Sequence, residues 1–190
     1  MSKFDPEAFG PYFAPLLTRA ELNPLGPGIP VQPPPAGLVS FDPVKAFAPH
    51  AVQDQEMARA CEAGLWLLYD RLERSHEISQ SIETIAGSYW HGIMHRREPD
   101  FSNAKYWFRR VGAHPIFSDL RREAARLAEE AAEQGSAGFL TTQRSWDALR
   151  FIDFCSEVLG SGSSAEDLCR RIQRREWELL FDFCYREATA

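Results

Sequence analysis

The chain has little positive charge, and it lacks both long apolar runs and the common nucleotide and protease motifs. Its longest unbroken apolar run, Leu65 to Tyr69, is much shorter than the roughly 20 residues of a membrane-spanning helix. No hydrophobic stretch follows Met1, so we expect no signal peptide, no membrane partner and a cytoplasmic location. With 21 basic and 27 acidic residues the net charge is -6, which disfavours nucleic acid as a partner. There is no Walker loop, dinucleotide fingerprint, HExxH motif or serine-based triad.

Cysteine pairs are also absent. The four cysteines are too far apart in the sequence for a CxxC motif, and they are Cys61, Cys155, Cys169 and Cys184. Each falls on the apolar side of an expected helix, where a thiol behaves as a small hydrophobic group. We therefore expect reduced, buried cysteines rather than a disulfide framework.

Proline is scarce after residue 50 and abundant before it, since residues 1–50 hold eleven of the 13 prolines. Proline lacks a backbone donor and disfavours helix at the preceding residue, so we expect an extended arm here. The arm is rich in aromatic and aliphatic residues, unlike a disordered segment. It is expected to pack on the helical body or on a second copy of the chain, as in a homodimer. Binding of Pro33–Pro35 to a partner's aromatic groove is the alternative.

Residues 51–190 are predicted to form an all-α domain, a single-domain bundle of about five to six helices. Apolar residues recur at intervals of three and four, the period of a helix. The expected helices cover residues 54–74, 79–96, about 102–111, 119–134, 142–159 and 164–187. The first two apolar stripes are offset by about a quarter turn, which predicts a turn between Glu73 and Ser79. The one weak strand signal lies within residues 28–41.

Helix boundaries are predicted from capping residues and helix breakers. Pro99 is expected to stop the second helix, and Asp100 or Ser102 to begin the third. Ser118 is the expected cap of the fourth helix. Ser164 and Asp167 resemble a capping box at the start of the last helix.

Residues 73–114 contain four of the five histidines, and two of them are one helical turn apart. At 100° per residue, His91 and His95 lie opposite the apolar position Tyr89. That side of the helix also carries small residues rather than the charges of a solvent-exposed face, namely Thr84, Gly87 and Ser88. Small residues allow a ligand or another backbone to approach closely. We therefore expect this side to face a cleft or a second buried region.

The histidine spacing is suited to a metal ion. Two imidazoles at i and i+4 can share one ion, and Glu73 with His76 forms a Glu-x-x-His pair. A mononuclear site from His76, His91, His95 and a carboxylate such as Glu73 or Glu77 would leave a coordination position open, as in catalytic zinc or iron centres. The alternative is that these histidines form hydrogen bonds within a polar core.

Basic and aromatic residues accompany the histidines. The candidate anion-binding residues are Trp90, Arg96, Arg97, Lys105, Tyr106, Arg109 and Arg110, with Trp107 interleaved. Guanidinium groups bind phosphate or carboxylate through paired donors, and aromatic rings stack on flat ligands. The alternative is ion pairing with the acidic residues nearby, which contributes little to stability at a surface.

Three residues are candidates for proton transfer. His114 lies between Gly112 and Pro115 and is therefore expected in a loop, from which it could enter the same cleft. Glu98 and Asp100 follow the histidine pair directly, and either could serve as the base.

The stretch from Ser88 to Gly112, SYWHGIMHRREPDFSNAKYWFRRVG, resembles the signature of a family of uncharacterised helical proteins. The resemblance covers a minor part of the chain. It implies no known activity and therefore assigns no catalytic residue.

These observations favour metal-assisted hydrolysis of a small anionic substrate, phosphorylated or carboxylate, with zinc or iron as the divalent metal. One alternative is a non-catalytic module that binds a small anion or a nucleotide through the same arginines and tryptophans. The other is an interaction protein that docks through its proline-rich arm.

Overall fold

The computed structural model of the protein describes residues 4–132 and 135–190, and these residues form helices, turns and loops. The all-α prediction is confirmed, and no strand occurs in the described ranges, residues 28–41 included. The predicted count of five to six helices is wrong, because these ranges hold eleven α-helices and two 3-10 segments. The additional helices lie before residue 50, at the break near residue 70 in the helix predicted over residues 54–74, and at residues 139–142.

The helices are numbered in chain order. They are α1 (Gly10–Leu17), α2 (Ala36–Val39), α3 (Pro43–Ala46), α4 (Gln55–Leu68), α5 (Leu72–Ser79), α6 (Ile85–Arg97), α7 (Phe101–Val111), α8 (Phe117–Ala131), α9 (Phe139–Thr142), α10 (Ala148–Val158) and α11 (Ser164–Thr189). The 3-10 segments cover Pro6–Phe9 and Gly135–Gly138.

Helix α11 is the longest helix and contributes to both hydrophobic clusters of the core. It packs against α4 and α8. The indole N–H of Trp177 donates to the carbonyl of Gly64 in α4 at 2.8 Å. A Cβ on Gly64 would lie 2.7 Å from the ring of Trp90 in α6, so this position requires glycine. The absence of a side chain at this glycine therefore allows α4, α6 and α11 to meet.

Helix α6 is buried on every side from Ala86 to Arg97. It packs against α4, α5 and α7. The residue at its start, Ile85, is part of the predicted apolar stripe but is 51% exposed. The opposite side, which carries His91 and His95, is buried as the small-residue pattern predicted. Polar side chains of this helix therefore face protein rather than water.

The N-terminal segment packs into the same hydrophobic cluster as α4 and α11. The ring centroids of Phe9 and Phe13 lie 5.4 and 5.6 Å from that of Phe181 in α11. The hydroxyl of Tyr69 donates to the carbonyl of Leu16 at 3.0 Å. Helix α1 interrupts the extended course expected from the prolines. The segment's aromatic side chains Phe9 and Phe13 pack on α11, whereas three of its aliphatic residues are exposed, namely Ile29, Val39 and Val44.

The break between α4 and α5 lies at Tyr69–Arg71, before the predicted turn. Asp70 adopts φ 59°, a left-handed conformation that aspartate tolerates better than most residues. Its buried carboxylate accepts hydrogen bonds from Arg19 and Arg97. Because neither glycine nor proline marks this position, apolar spacing alone placed the turn between Glu73 and Ser79, where α5 is in fact helical.

The boundary between α6 and α7 follows the prediction. Helix α6 ends at Arg97, ahead of Pro99. Asp100 caps α7 by accepting the backbone N–H of Asn103 at 3.2 Å. The turn between these helices therefore holds α7 close beside α6.

The helices after α7 begin at other residues than predicted. Ser118 lies inside α8 and does not cap it, because the helix begins at Phe117. The helix ends at Ala131, and the last two positions of its predicted range, 133 and 134, lie outside the described residues.

The last two predicted helices also begin at other residues than predicted. The helix predicted over residues 142–159 corresponds to α10, which begins only at Ala148 after its cap Asp147, and α9 lies almost wholly before the predicted range. The cap of α11 is Ser163 rather than Ser164, and its hydroxyl accepts the N–H of Glu166 at 3.2 Å.

All four cysteines are buried and free, as predicted. Burial raises the pKa of the Cys61 thiol and raises that of Cys184 to about 12. Within the described ranges, no helix has both the length and the apolar character needed to span a bilayer.

Candidate metal centre

Three histidines from two helices form a compact group. His76 lies on α5, and His91 and His95 lie on α6. One ligand nitrogen from each ring lies within 4.8 Å of those of the other two. The ring centroid of His76 is 4.7 Å from that of His91 and 5.3 Å from that of His95, and the two rings on α6 are 4.8 Å apart. The fold therefore brings together the three histidines that the sequence selected.

A tight turn between α5 and α6 positions this group. The hydroxyl of Thr84 caps α6 by accepting the N–H of Gly87 at 3.2 Å. A Cβ on Gly87 would lie 2.3 Å from the carbonyl oxygen of Ile82, so a side chain there would disrupt the turn. The turn packs α5 against α6 and directs His76 toward the histidine pair.

Trp107 of α7 forms one wall of the site. Its ring stacks on His91 with centroids 4.0 Å apart and planes 17° apart. This contact depends on Gly92, where a Cβ would lie 2.8 Å from the Phe108 ring and 3.4 Å from Cβ of Trp107. The close approach of α6 and α7 therefore fixes the orientation of the His91 imidazole.

His95 has polar neighbours on its more open side. Its Nδ1 lies 3.3 Å from Oε2 of Glu98 and 3.9 Å from Oδ2 of Asp100. The amide nitrogen of Asn103 lies 3.1 Å from Nε2. A carboxylate on Nδ1 favours the tautomer with its proton there, so that Nε2 accepts from the Asn103 amide, and a metal ion at Nε2 would take the place of that amide. Glu98 is therefore placed to orient this histidine.

His91 is buried with an unsatisfied nitrogen. Its side chain is 3% exposed, and its Nδ1 has no hydrogen-bond partner among residues 4–132 and 135–190. Burial, together with the neighbouring His95 and His76, lowers the pKa of His91 to about 3. Burial also lowers the pKa of His95, although Glu98 acts in the opposite direction. These rings are therefore neutral at neutral pH, the form that binds metal ions.

The geometry fits a metal ion after a small adjustment. In a tetrahedral zinc site with bonds of 2.0–2.1 Å, ligand nitrogens are about 3.3 Å apart. The ligand nitrogens of the three histidines lie within 4.8 Å of one another. Each pair therefore needs to move closer by at most about 1.5 Å to reach this spacing. A change of that size lies within reach of side-chain rotation on two fixed helices.

Glu73, predicted as a fourth ligand, is not part of this group. Its side chain is exposed at the start of α5 and lines a surface cavity together with Pro27 and Arg71. The break at Asp70 shifts the start of α5, so the Glu-x-x-His spacing does not place this carboxylate beside the other histidines.

Arg96 and Arg97 were predicted to bind an anion, and their burial contradicts this. Arg96 is 1% exposed and pairs with the buried carboxylate of Glu176 in α11. Arg97 is 2% exposed, pairs with Asp70 and donates to the carbonyl of Leu67 at 2.9 Å. Both guanidinium groups are therefore occupied inside the protein.

Trp90, predicted to stack on a ligand, is part of the core. Its side chain is fully buried, against Gly64 and 6.0 Å from the ring of Trp177. A ligand cannot reach this ring without displacing α4 or α11.

The basic residues of α7 are closer to the protein surface. Lys105 is half-buried and pairs with Asp153 of α10. Tyr106 is 50% exposed, and Arg109 is also exposed. The guanidinium of Arg110 lies 5.3 Å from the ring centroid of Trp107, the ring that stacks on His91. Of the predicted anion-binding residues, Arg110 and Tyr106 contact Trp107, which forms a wall of the site.

His114 lies on the other side of α6. Its ring packs 5.1 Å from Tyr89 and 4.7 Å from Phe183, and its side chain is buried. Since Tyr89 and the metal-site histidines project from opposite sides of α6, His114 does not join the three-histidine group. Its predicted role as a catalytic group in the same cleft is wrong.

Sequence reasoning missed Asn103, and it named Trp107 among the aromatic residues near the arginines without predicting its contact with His91. Trp107 follows His91 by sixteen positions and Asn103 follows His95 by eight. Their contacts depend on the angle and closeness of two helices, which periodicity does not specify. The glycine at position 92 was the available signal for close packing.

Comparisons with protein-family models, with curated proteins and with solved structures gave no match to this chain.

Proposed function

We propose that the protein binds one divalent transition metal ion, zinc or iron, through His76, His91 and His95. The observation that carries this proposal is the convergence of three imidazoles within 4.8 Å, one of them buried with an unpartnered nitrogen. An unsatisfied buried polar group costs about 1–3 kcal/mol. Such a cost is offset when the nitrogen binds an ion.

We further propose that the bound ion serves the hydrolysis of a small anionic substrate, phosphorylated or carboxylate. An ion held by three histidines keeps an open coordination position and supplies Lewis acidity for hydrolysis. Glu98, 39% exposed at its side chain, is available to accept a proton near this position. Asp100 suits that task less well, because hydrogen bonds from Asn103 and Ser102 lower its pKa and use one carboxylate oxygen.

Arg110 is the basic residue proposed to attract the substrate. Its side chain is exposed, and it lies over the Trp107 ring at the wall of the site. An exposed guanidinium can form paired hydrogen bonds with phosphate or carboxylate. This residue replaces the buried Arg96 and Arg97 in the original hypothesis.

Hydrolysis is tested with chromogenic phosphate and carboxylate esters after removal of metal and reconstitution with zinc or ferrous iron. We expect turnover with metal and loss of turnover with a chelator. Glu98→Gln should lower kcat by about 100-fold, the scale of general base catalysis. Glu77→Gln on the exposed side of α5 is the matched control.

The outcomes separate binding from catalysis. Metal-independent turnover, or equal kcat values for the Glu98 and Glu77 variants, would remove the proposed mechanism. A protein that binds metal through the three histidines but hydrolyses none of these esters would retain the metal site and lose the hydrolase assignment.

A further inference from the structure

A second cavity with unpartnered polar groups lies on the side of α6 away from the metal-site histidines. Its volume is about 400 Å³, within the range of small-molecule sites. It is lined by the loop after α7, the start of α8 and the loop before α10, through Ala113, His114, Phe117, Ser118, Arg121, Arg144, Ser145 and Trp146.

Two of the lining side chains are more than nine-tenths buried and carry a nitrogen with no partner. The exposed fractions of His114 and Trp146 are both 6%. In the part of the chain that the structure describes, Nε2 of His114 and Nε1 of Trp146 have no hydrogen-bond partner. Buried polar groups are normally satisfied, so each of these nitrogens indicates an absent partner.

Both nitrogens are hydrogen-bond donors. Nε1 of an indole ring can only donate. His114 accepts the backbone N–H of Ile116 at its Nδ1, with an N···N distance of 3.4 Å. Burial lowers the pKa of His114 to about 4, so the ring is neutral at neutral pH. A neutral imidazole that accepts at Nδ1 carries its proton at Nε2.

Two arginines add six further N–H-bearing nitrogens at the rim. Arg121 is half-buried and Arg144 is exposed. Neither takes part in any ion pair or side-chain hydrogen bond within residues 4–132 and 135–190, unlike most arginines of this acidic chain. The two carboxylates closest in sequence to Arg121, those of Asp119 and Glu123, are paired with Arg122 and Arg126.

The cavity therefore has two guanidinium groups at its rim that no described residue pairs with. The ligand that matches it carries acceptors and negative charge and lies against the apolar surfaces of Phe117 and Trp146. We infer that this cavity binds a small organic anion, in which a phosphate or carboxylate is attached to an apolar group. The anion accepts from Arg121 and Arg144 at the rim, whereas the unpartnered nitrogens of His114 and Trp146 are enclosed by protein.

This inference does not depend on the metal centre. Tyr89 separates the two sites, since its ring contacts His114 on the side of α6 opposite to His91 and His95. The anion site also uses none of the arginines that the sequence pattern selected.

The indole N–H of Trp146 provides a direct readout. Its signal in a nitrogen–proton correlation spectrum is identified by its loss in Trp146→Phe. We expect a saturable shift of this signal with phenyl phosphate or benzoate, and none with the neutral benzyl alcohol. Inorganic phosphate should bind more weakly than phenyl phosphate, because it lacks the apolar group.

Matched double variants assign the binding to the arginines. Arg121→Gln with Arg144→Gln should weaken the organic anion at least about tenfold, as expected for lost charged hydrogen bonds. Arg126→Gln with Arg186→Gln changes the net charge equally at exposed residues outside the cavity and should leave the affinity unchanged. All four positions are half-buried or exposed, and retention of the other indole signals reports that the variants fold.

Two results would overturn the inference. One is that neither organic anion causes a saturable shift of the Trp146 signal, which would mean that the cavity holds only water. The other is equal affinity in the two double variants, which would mean that the anion binds elsewhere.

Discussion

At the scale of single residues, burial decides which of the polar side chains can function. His91, Arg96 and Arg97 occupy one helix and are all buried, yet their partners differ. The two arginines pair with carboxylates of the same chain, whereas Nδ1 of His91 has no partner among the described residues. The histidine is therefore available to a ligand, and the arginines stabilise the fold.

The residue types of the metal site could be predicted from the sequence, but the fate of the arginines could not. Arginine is rarely buried unless it is paired, so exposure was the natural expectation. The partners of Arg96 and Arg97 are Glu176 and Asp70, which lie 80 and 27 positions away. Such distant pairs are set by the tertiary fold and leave no local pattern.

The ion pair between Asp70 and Arg97 predicts a large effect on stability. Asp70→Asn keeps the shape and tolerates the left-handed backbone, but it leaves a buried guanidinium without its counter-charge. We expect a loss of about 3–5 kcal/mol in the free energy of unfolding, measured by urea denaturation. The control Asp153→Asn removes the exposed partner of Lys105 and should cost about 0–1 kcal/mol. Similar losses in both variants would contradict the structural role of Asp70.

His114 predicts a pH dependence of stability. Its pKa is 6.5 in the unfolded chain and about 4 when folded, so the unfolded chain binds the proton first as pH falls. Stability is therefore complete above pH 6.5 and decreases toward pH 4, by up to about 3 kcal/mol from this residue. In His114→Leu the contribution of His114 to this loss of stability should be absent when the free energy of unfolding is measured between pH 6.5 and pH 4. His91, whose pKa burial lowers further, to about 3, and His95 maintain the rest of the decrease in the variant. An unchanged pH profile would show that His114 titrates normally.

At the scale of helices, the start and end signals of α6 and α7 could be read from Pro99 and Asp100. The break between α4 and α5 could not, because aspartate rather than glycine takes the left-handed position at residue 70. The periodic pattern continued across this break, so a single long helix was the natural prediction. Local spacing therefore found the helical regions but not every division between them.

The packing of α6 on α7 predicts an effect of Gly92→Ala. Helix propensity alone favours alanine by about 1 kcal/mol. The added Cβ, however, would lie 2.8 Å from the ring of buried Phe108, so the helices must move apart. We expect a net loss of about 1–3 kcal/mol in urea denaturation, together with weaker zinc binding as Trp107 leaves His91.

Gly138→Ala is the control for this variant. A Cβ there meets no atom within 4 Å. Its stability and zinc affinity should match those of the wild-type protein. A stabilised Gly92→Ala protein with unchanged zinc binding would mean that α7 does not position the site.

At the scale of the whole molecule, the fold places two candidate sites on opposite sides of one buried helix. Composition and periodicity predicted the all-α class and the burial of the cysteines. They could not predict that residues 4–50 contact α11 through Phe9 and Phe13, because such contacts join distant parts of the chain. They also could not predict that His114 lies apart from the other histidines, since that depends on which side of α6 the loop after α7 packs against.

The most direct test of the metal site is a competition titration with zinc against a chromogenic chelator, followed by thermal unfolding of the loaded protein. We predict one zinc ion per chain and a raised melting temperature, because an ion joining α5 to α6 binds the folded state alone. His76→Ala and His91→Gln should lose both effects, whereas His50→Ala, at an exposed histidine outside the site, should retain them. A wild-type protein that takes up no zinc, or binding that survives in both site variants, would contradict the account.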